Sequence, residues 1–83
     1  MAIVYANSAG NWTDDTIWYS EGQPYGQIPQ KGDTVYPNGF VVTLNISTID
    51  IGNGTLRNDE CPYTNINGGY FSPSSASNNS LQI

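Results

Sequence analysis

The sequence predicts an all-β, small single domain, either a short β-solenoid or a β-sandwich-like arrangement, and three observations carry that prediction. No window sustains a helical period between an N-cap and a glycine stop. Clusters of Gly, Pro and Asn recur every few residues and cut the chain into short β-type runs. One segment, Phe40 to Ile46, places Phe40, Val42, Leu44 and Ile46 on one face and Val41, Thr43 and Asn45 on the other, the period of a half-buried strand.

The elements follow in order. Ile3 to Ala6 is a β-type run that stops at Asn7-Ser8-Ala9-Gly10. Trp12 to Tyr19 is the next, stopping at Glu21-Gly22-Gln23-Pro24; on one regular strand Trp12 and Trp18 share a face and enter the core together. Residues 21–32 are too rich in Gly and Pro for regular structure and are expected to form an irregular surface loop pinned by Tyr25 and Ile28. Asp33 to Tyr36 is a short strand, and Pro37-Asn38-Gly39 is expected to reverse the chain into Phe40 as a hairpin, because proline fixes φ while Asn and Gly tolerate φ > 0. Alternation resumes at Ile49 to Ile51 after Ser47-Thr48, an interruption that reads as a bulge or a tight arch. Residues 72–83 are polar and low in complexity. They are expected to form an extended C-terminal tail on a β-rich domain of residues 1–71.

A chain of 83 residues encloses one core and removes about 60–65% of its unfolded surface from water. Such a core supplies about 3–5 kcal/mol without a staple. Cys61 has no thiol partner and the chain has no histidine, so neither a disulfide nor a zinc site is available within it. Packing against further copies or another protein is the remaining route to robust stability. The formal charge of −5, with Lys31 and Arg57 the only basic side chains, argues against nucleic acid and anionic membrane surfaces as partners. No apolar run approaches the roughly 20 residues of a membrane span, and the N-terminal residues lack the pattern of a secretory signal. Synthesis and folding in a cytoplasm are expected. The Asn-x-Ser/Thr sequons at Asn11, Asn45, Asn53 and Asn78 read as a product of composition.

Candidate chemistry is sparse, and no catalytic residue, cofactor or metal ligand is expected. Asp14-Asp15 and Asp59-Glu60 are adjacent pairs, and neighbours on a strand point to opposite faces instead of facing each other across a cleft. Asp50-Ile51-Gly52-Asn53-Gly54 and the Asp14-Asp15 turn offer oxygens, but calcium takes six to eight of them, and Asx-type turns account for both segments. Asp59 and Glu60 beside Cys61 work against a reactive thiolate. The aromatic side chains, 12% of residues, serve a core, an interface or a stacking platform for sugars.

Taken in order, Tyr5-Ala6-Asn7, Gly10-Asn11-Trp12, Trp18-Tyr19, Gly22, Tyr25-Gly26-Gln27-Ile28-Pro29, Gly32-Asp33-Thr34-Val35-Tyr36, Asn38-Gly39 and Val41-Val42-Thr43-Leu44 resemble a recurrent opening in structural proteins of tailed bacteriophages. Similar openings begin longer β-solenoid adhesins and fibres. The likeness covers about Val4 to Asn58. It implies a non-enzymatic, β-rich virion surface component, made in the host cytoplasm, whose partners are the major capsid protein or another virion protein and its own copies. Long members continue into many further strands after the equivalent of Leu56, whereas this sequence has only Gly68-Gly69-Tyr70-Phe71 and a polar stretch. The expectation is therefore a capsid decoration or cement protein. The base of a head or tail fibre or spike, and a carbohydrate-binding adhesin module, are the alternatives. The expected partner contacts are Tyr25, Ile28, Arg57, Tyr70, Phe71, Leu81 and Ile83.

Overall fold

The computed structural model describes residues 2–46, 48–73 and 80–82, and these form ten strands and no helix. The strands are β1 (Ile3–Ala6), β2 (Gly10–Asn11), β3 (Trp18–Ser20), β4 (Gln23–Pro24), β5 (Thr34–Tyr36), β6 (Val41–Leu44), β7 (Thr48–Asp50), β8 (Thr55–Leu56), β9 (Tyr70–Pro73) and β10 (Ser80–Gln82). Five of the strand pairings are parallel. β5 pairs with both β1 and β8, β6 pairs with both β2 and β9, and β7 pairs with β10. Each pass of the chain thus lays one strand on the equivalent strand of the pass before, which is the connectivity of a short β-solenoid. Of the two arrangements expected from the sequence, this is the coiled one.

Period-2 alternation places one set of side chains inside each coil. In register, Val4 lies opposite Val35 and Val35 opposite Leu56; on the adjacent face Gly10 lies opposite Val42 and Val42 opposite Phe71. Val4, Val35, Val42, Ile49 and Ile51 are fully buried, and Leu44 nearly so. The lumen is crossed by aromatic rings: Trp12 meets Trp18 edge to face with centroids 5.3 Å apart and Phe71 at 6.1 Å, joining the first coil to the last. The indole N–H of Trp18 donates to the carbonyl of Trp12 at 3.0 Å, so its buried polar atom is satisfied.

The corners depend on backbone that few residues can supply. Asn38, buried with φ 57°, donates its amide to the carbonyl of Ala6 at 2.9 Å and accepts from the Thr64 hydroxyl at 2.6 Å, which ties the corner of the second coil to the first coil and to the segment after β8. Gly54 is constrained by proximity. A Cβ there would meet the carbonyl oxygen of Asp33 in the coil before it, in severe overlap with that backbone.

Several expectations change. Pro37-Asn38-Gly39 turns a corner and is not a hairpin, for β5 and β6 lie in different sheets. Residues tolerant of positive φ serve either geometry, and here the edges of both strands are claimed by other coils. Trp12 to Tyr19 is not one strand. Residues 12–17 form turns closed by bonds such as Asp14 N–H to Asn11 O at 3.0 Å, and only Trp18–Ser20 is extended, yet both tryptophans are buried. Residues 21–32 are not wholly irregular, because Gln23–Pro24 pairs with β3 across the two-residue turn Glu21-Gly22, where φ is 54° and 82°, the type I′ signature. The expected boundary after residue 71 falls inside β9, and 80–82 pair with β7, so the polar composition of this stretch coexists with backbone pairing. The interruption before Ile49 lies at the passage from β6 to β7, with residue 47 outside the described set.

Gly54→Ala should destabilise the protein by about 2–4 kcal/mol, since the clash is with backbone. Gly22→Ala, at φ 82° with open space around it, should cost only about 1 kcal/mol from strain. Urea denaturation of the two variants checks this, and equal losses would mean that coil contact at Gly54 is looser than described.

Candidate interaction surfaces

Sheet faces that point away from the lumen are either covered or open, and the difference defines the candidate surfaces. Residues 57–69 leave β8 and fold over the outer face of the β1–β5–β8 ladder. Cys61 packs there with Tyr5 and Tyr36, flanked by Ile3 and Tyr19, as a second apolar cluster, and Tyr63 rests 6.4 Å from the Tyr5 ring. Bonds from Gly68 N–H to Asn58 O at 3.1 Å and from Gly39 N–H to Gly68 O at 3.0 Å close the flap. Burial pushes the Cys61 thiol up from its ordinary range, which disfavours the thiolate, and the residue is a small side chain packed beneath the flap.

The end of the solenoid opposite the β3–β4 hairpin carries a cleft of about 390 Å³ lined by Leu44, Leu56, Arg57, Asn58, Tyr70 and Phe71. Its floor is the apolar lumen stack and its rim is polar. Arg57 engages Asp59 bidentately, Nε to Oδ1 at 3.0 Å and NH2 to Oδ2 at 2.5 Å, and that guanidinium holds the Asp59 carboxyl below its usual range. Both side chains are about half exposed.

A smaller hollow lies between Ala2, Ile3, Ser20, Glu21 and Tyr63. Its Ser20 hydroxyl is committed to the carbonyl of Ile3 at 2.8 Å. Near the same end, buried Asp33 accepts from the Ala2 N–H at 2.9 Å, the Tyr25 hydroxyl at 2.7 Å and the Gln30 N–H at 2.7 Å, so one carboxylate joins the start of β1, the 25–32 segment and the corner before β5. Asp14 accepts from the hydroxyl and N–H of Thr16, bonds that lower its pKa and make it the Asx-type turn expected of that segment.

The expected contact residues separate into two groups. Arg57, Tyr70 and Phe71 meet at the end cleft. Tyr25 and Ile28 turn inward instead, both packed against the main core and Tyr25 bonded to Asp33. The sequence had marked them as anchors of an unsupported loop; what it does not display is that Asp33 lies beneath that loop. Leu81 is at the register position opposite Ile49, and Ile83 lies outside the described residues. Lys31 pairs with Asp50 at 3.6 Å on the exposed surface. Among the described residues, no group of three or more Cys, Asp or Glu side chains is placed to hold a metal ion, and no helix is long and apolar enough to cross a membrane. Among the described residues the large exposed aromatics are Tyr63, on the flap, and Tyr70, on β9. Sequence reasoning read a turn at Glu21-Gly22 but missed the pairing of Gln23–Pro24 with β3 beyond it, and it missed the flap, for which Gly68-Gly69 before β9 was the available signal.

Comparison with protein-family models, with curated proteins and with solved structures returns no match.

The buried thiol sets a clear expectation. Cys61 should resist an aromatic disulfide reagent in the native protein at neutral pH and react at once in denaturant, with absorbance of the released thiolate as the readout; rapid native labelling would show that the flap opens freely.

Proposed function

We propose that the chain is a non-enzymatic structural protein of a tailed-bacteriophage virion, in the form of a capsid decoration or cement protein on the head surface, with the major capsid protein or another virion protein and its own copies as partners. One observation carries the reading: the residues of the phage-type opening are those that build the coils. Trp12 and Trp18 fill the lumen, Asp33 fastens a corner, Asn38-Gly39 turns the next, and Val42 and Leu44 stack inside. The likeness is therefore one of framework, which fits a protein whose work is to present surface. Such a protein adds buried area across subunit boundaries and stabilises the assembled shell by mass action. The base of a head or tail fibre is the second reading, favoured by the open cleft at one end of the solenoid, where a longer shaft would continue.

Particles assembled without the chain and then incubated with the purified protein test this reading by electron microscopy. A regular array over the head is the expected result. Attachment confined to the tail or to a few special sites would favour the fibre base, and no attachment at all would sink both readings. Arg57→Ala should leave attachment within about twofold of the wild type, because its guanidinium is already satisfied by Asp59 on an exposed rim.

A further inference from the structure

Asn-Gly pairs stand at 38–39, 53–54 and 67–68, and the fold treats them differently. An asparagine followed by glycine is prone to cyclise, because no Cβ shields the glycine nitrogen from the side-chain amide carbon. At Asn38 that amide is held at both ends, Nδ2 donating to Ala6 O at 2.9 Å and Oδ1 accepting from the Thr64 hydroxyl at 2.6 Å, so Cγ cannot swing onto the nitrogen of Gly39. Asn53 is exposed, but Gly54 is buried. Its N–H closes a turn onto Ile51 O at 2.9 Å, and the backbone of Asp33 fills the space beside it. Asn67 meets neither restraint. It is exposed, its side-chain amide makes no hydrogen bond among the described residues, and a Cβ on Gly68 would enter open space. The Gly68 N–H is held only by the carbonyl of exposed Asn58 at 3.1 Å, a bond that local opening of the flap breaks without disturbing the lumen.

We propose that Asn67-Gly68 is a self-modification site and that its conversion to isoaspartate releases the flap of residues 57–69. The proposal goes beyond the virion reading and does not depend on it. Once the bond to Asn58 opens, the Gly68 nitrogen loses its proton to hydroxide and attacks Cγ of Asn67. A C–N bond forms, the bond from Cγ to Nδ2 breaks, and ammonia leaves. Water then opens the five-membered imide. Attack at Cγ gives aspartate at this position. Attack at the α-carbonyl, the more electrophilic because it adjoins the nitrogen-bearing carbon, gives isoaspartate, whose main chain runs through Cβ and is one carbon longer. That carbon falls where the flap has least slack. Gly68 O accepts from Gly39 N–H at 3.0 Å, a Cβ on Gly39 would overlap Ile66, and a Cβ on Gly69 would overlap the backbone of Phe40. A main chain lengthened between residues 66 and 69 cannot keep all three contacts, so the flap lifts from Tyr5, Tyr36 and Cys61.

The full chain, kept at body temperature and mildly alkaline pH and sampled over weeks, tests this by peptide mapping with fragmentation that separates isoaspartate from aspartate; a sample in urea is the control. Conversion at Asn67 about tenfold or more faster than at Asn38 or Asn53 in the native protein is the expected result, with the urea sample reacting at all three. The isolated isoaspartate form should label Cys61 with an aromatic disulfide reagent about tenfold or more faster than fresh protein. Asn67→Asp, which adds the charge without the extra carbon, should label as slowly as the wild type. Native conversion led by Asn38 or Asn53, conversion without preference, or none at Asn67 while the urea sample reacts would overturn the site. Unchanged labelling of the isoaspartate form, or equally fast labelling of Asn67→Asp, would overturn release of the flap by the lengthened main chain.

Discussion

Everything in this structure depends on one constraint: an inward side chain must sit on the inward side chain of the coil before it. A parallel ladder leaves no freedom here, because slipping by one residue would turn the whole strand inside out. Val4, Val35 and Leu56 meet that requirement on one face, and Gly10, Val42 and Phe71 on the next. Gly10 in this series is consistent with the space its neighbours take. A Cβ there would come within 3.1 Å of Ile17, which closes the core beside Trp12 and Trp18.

The polar interior follows from the same constraint. Coils are stacked without long strands, so the corners carry much of the backbone, and buried backbone groups need partners. Asp33 and Asn38 supply them. Each is about 1% exposed, and each binds segments that are distant in sequence but adjacent between coils. The conformational demand at Asn38 and the contact demand at Gly54 are different in kind, which is why the turn residues of this chain are not interchangeable.

Much of this was legible in the chain, and what was not has a physical reason. The alternation of Phe40 to Ile46 reports β6 correctly, with Val42 and Leu44 inside and Val41 exposed. Alternation records which face is buried and is silent about which strand lies alongside, so β5 and β6 read as a hairpin although they belong to separate parallel ladders. Tyr25 and Ile28 were visible as apolar anchors in a polar stretch, yet only the fold shows that their counterpart is the protein's own core and Asp33. At the candidate surface, Arg57, Tyr70 and Phe71 were each legible as contact residues. Their convergence was not, since the flap of residues 57–69 brings β8 and β9 to one end of the solenoid.

The parallel coil is the claim on which the rest stands, and a nuclear Overhauser map of the labelled protein tests it most directly. The account predicts contacts of Val35 with both Val4 and Leu56, and of Val42 with both Gly10 and Phe71. Close Hα–Hα contacts between β5 and β6, the mark of an antiparallel pair, would instead restore the hairpin across Pro37-Asn38-Gly39 and contradict the solenoid.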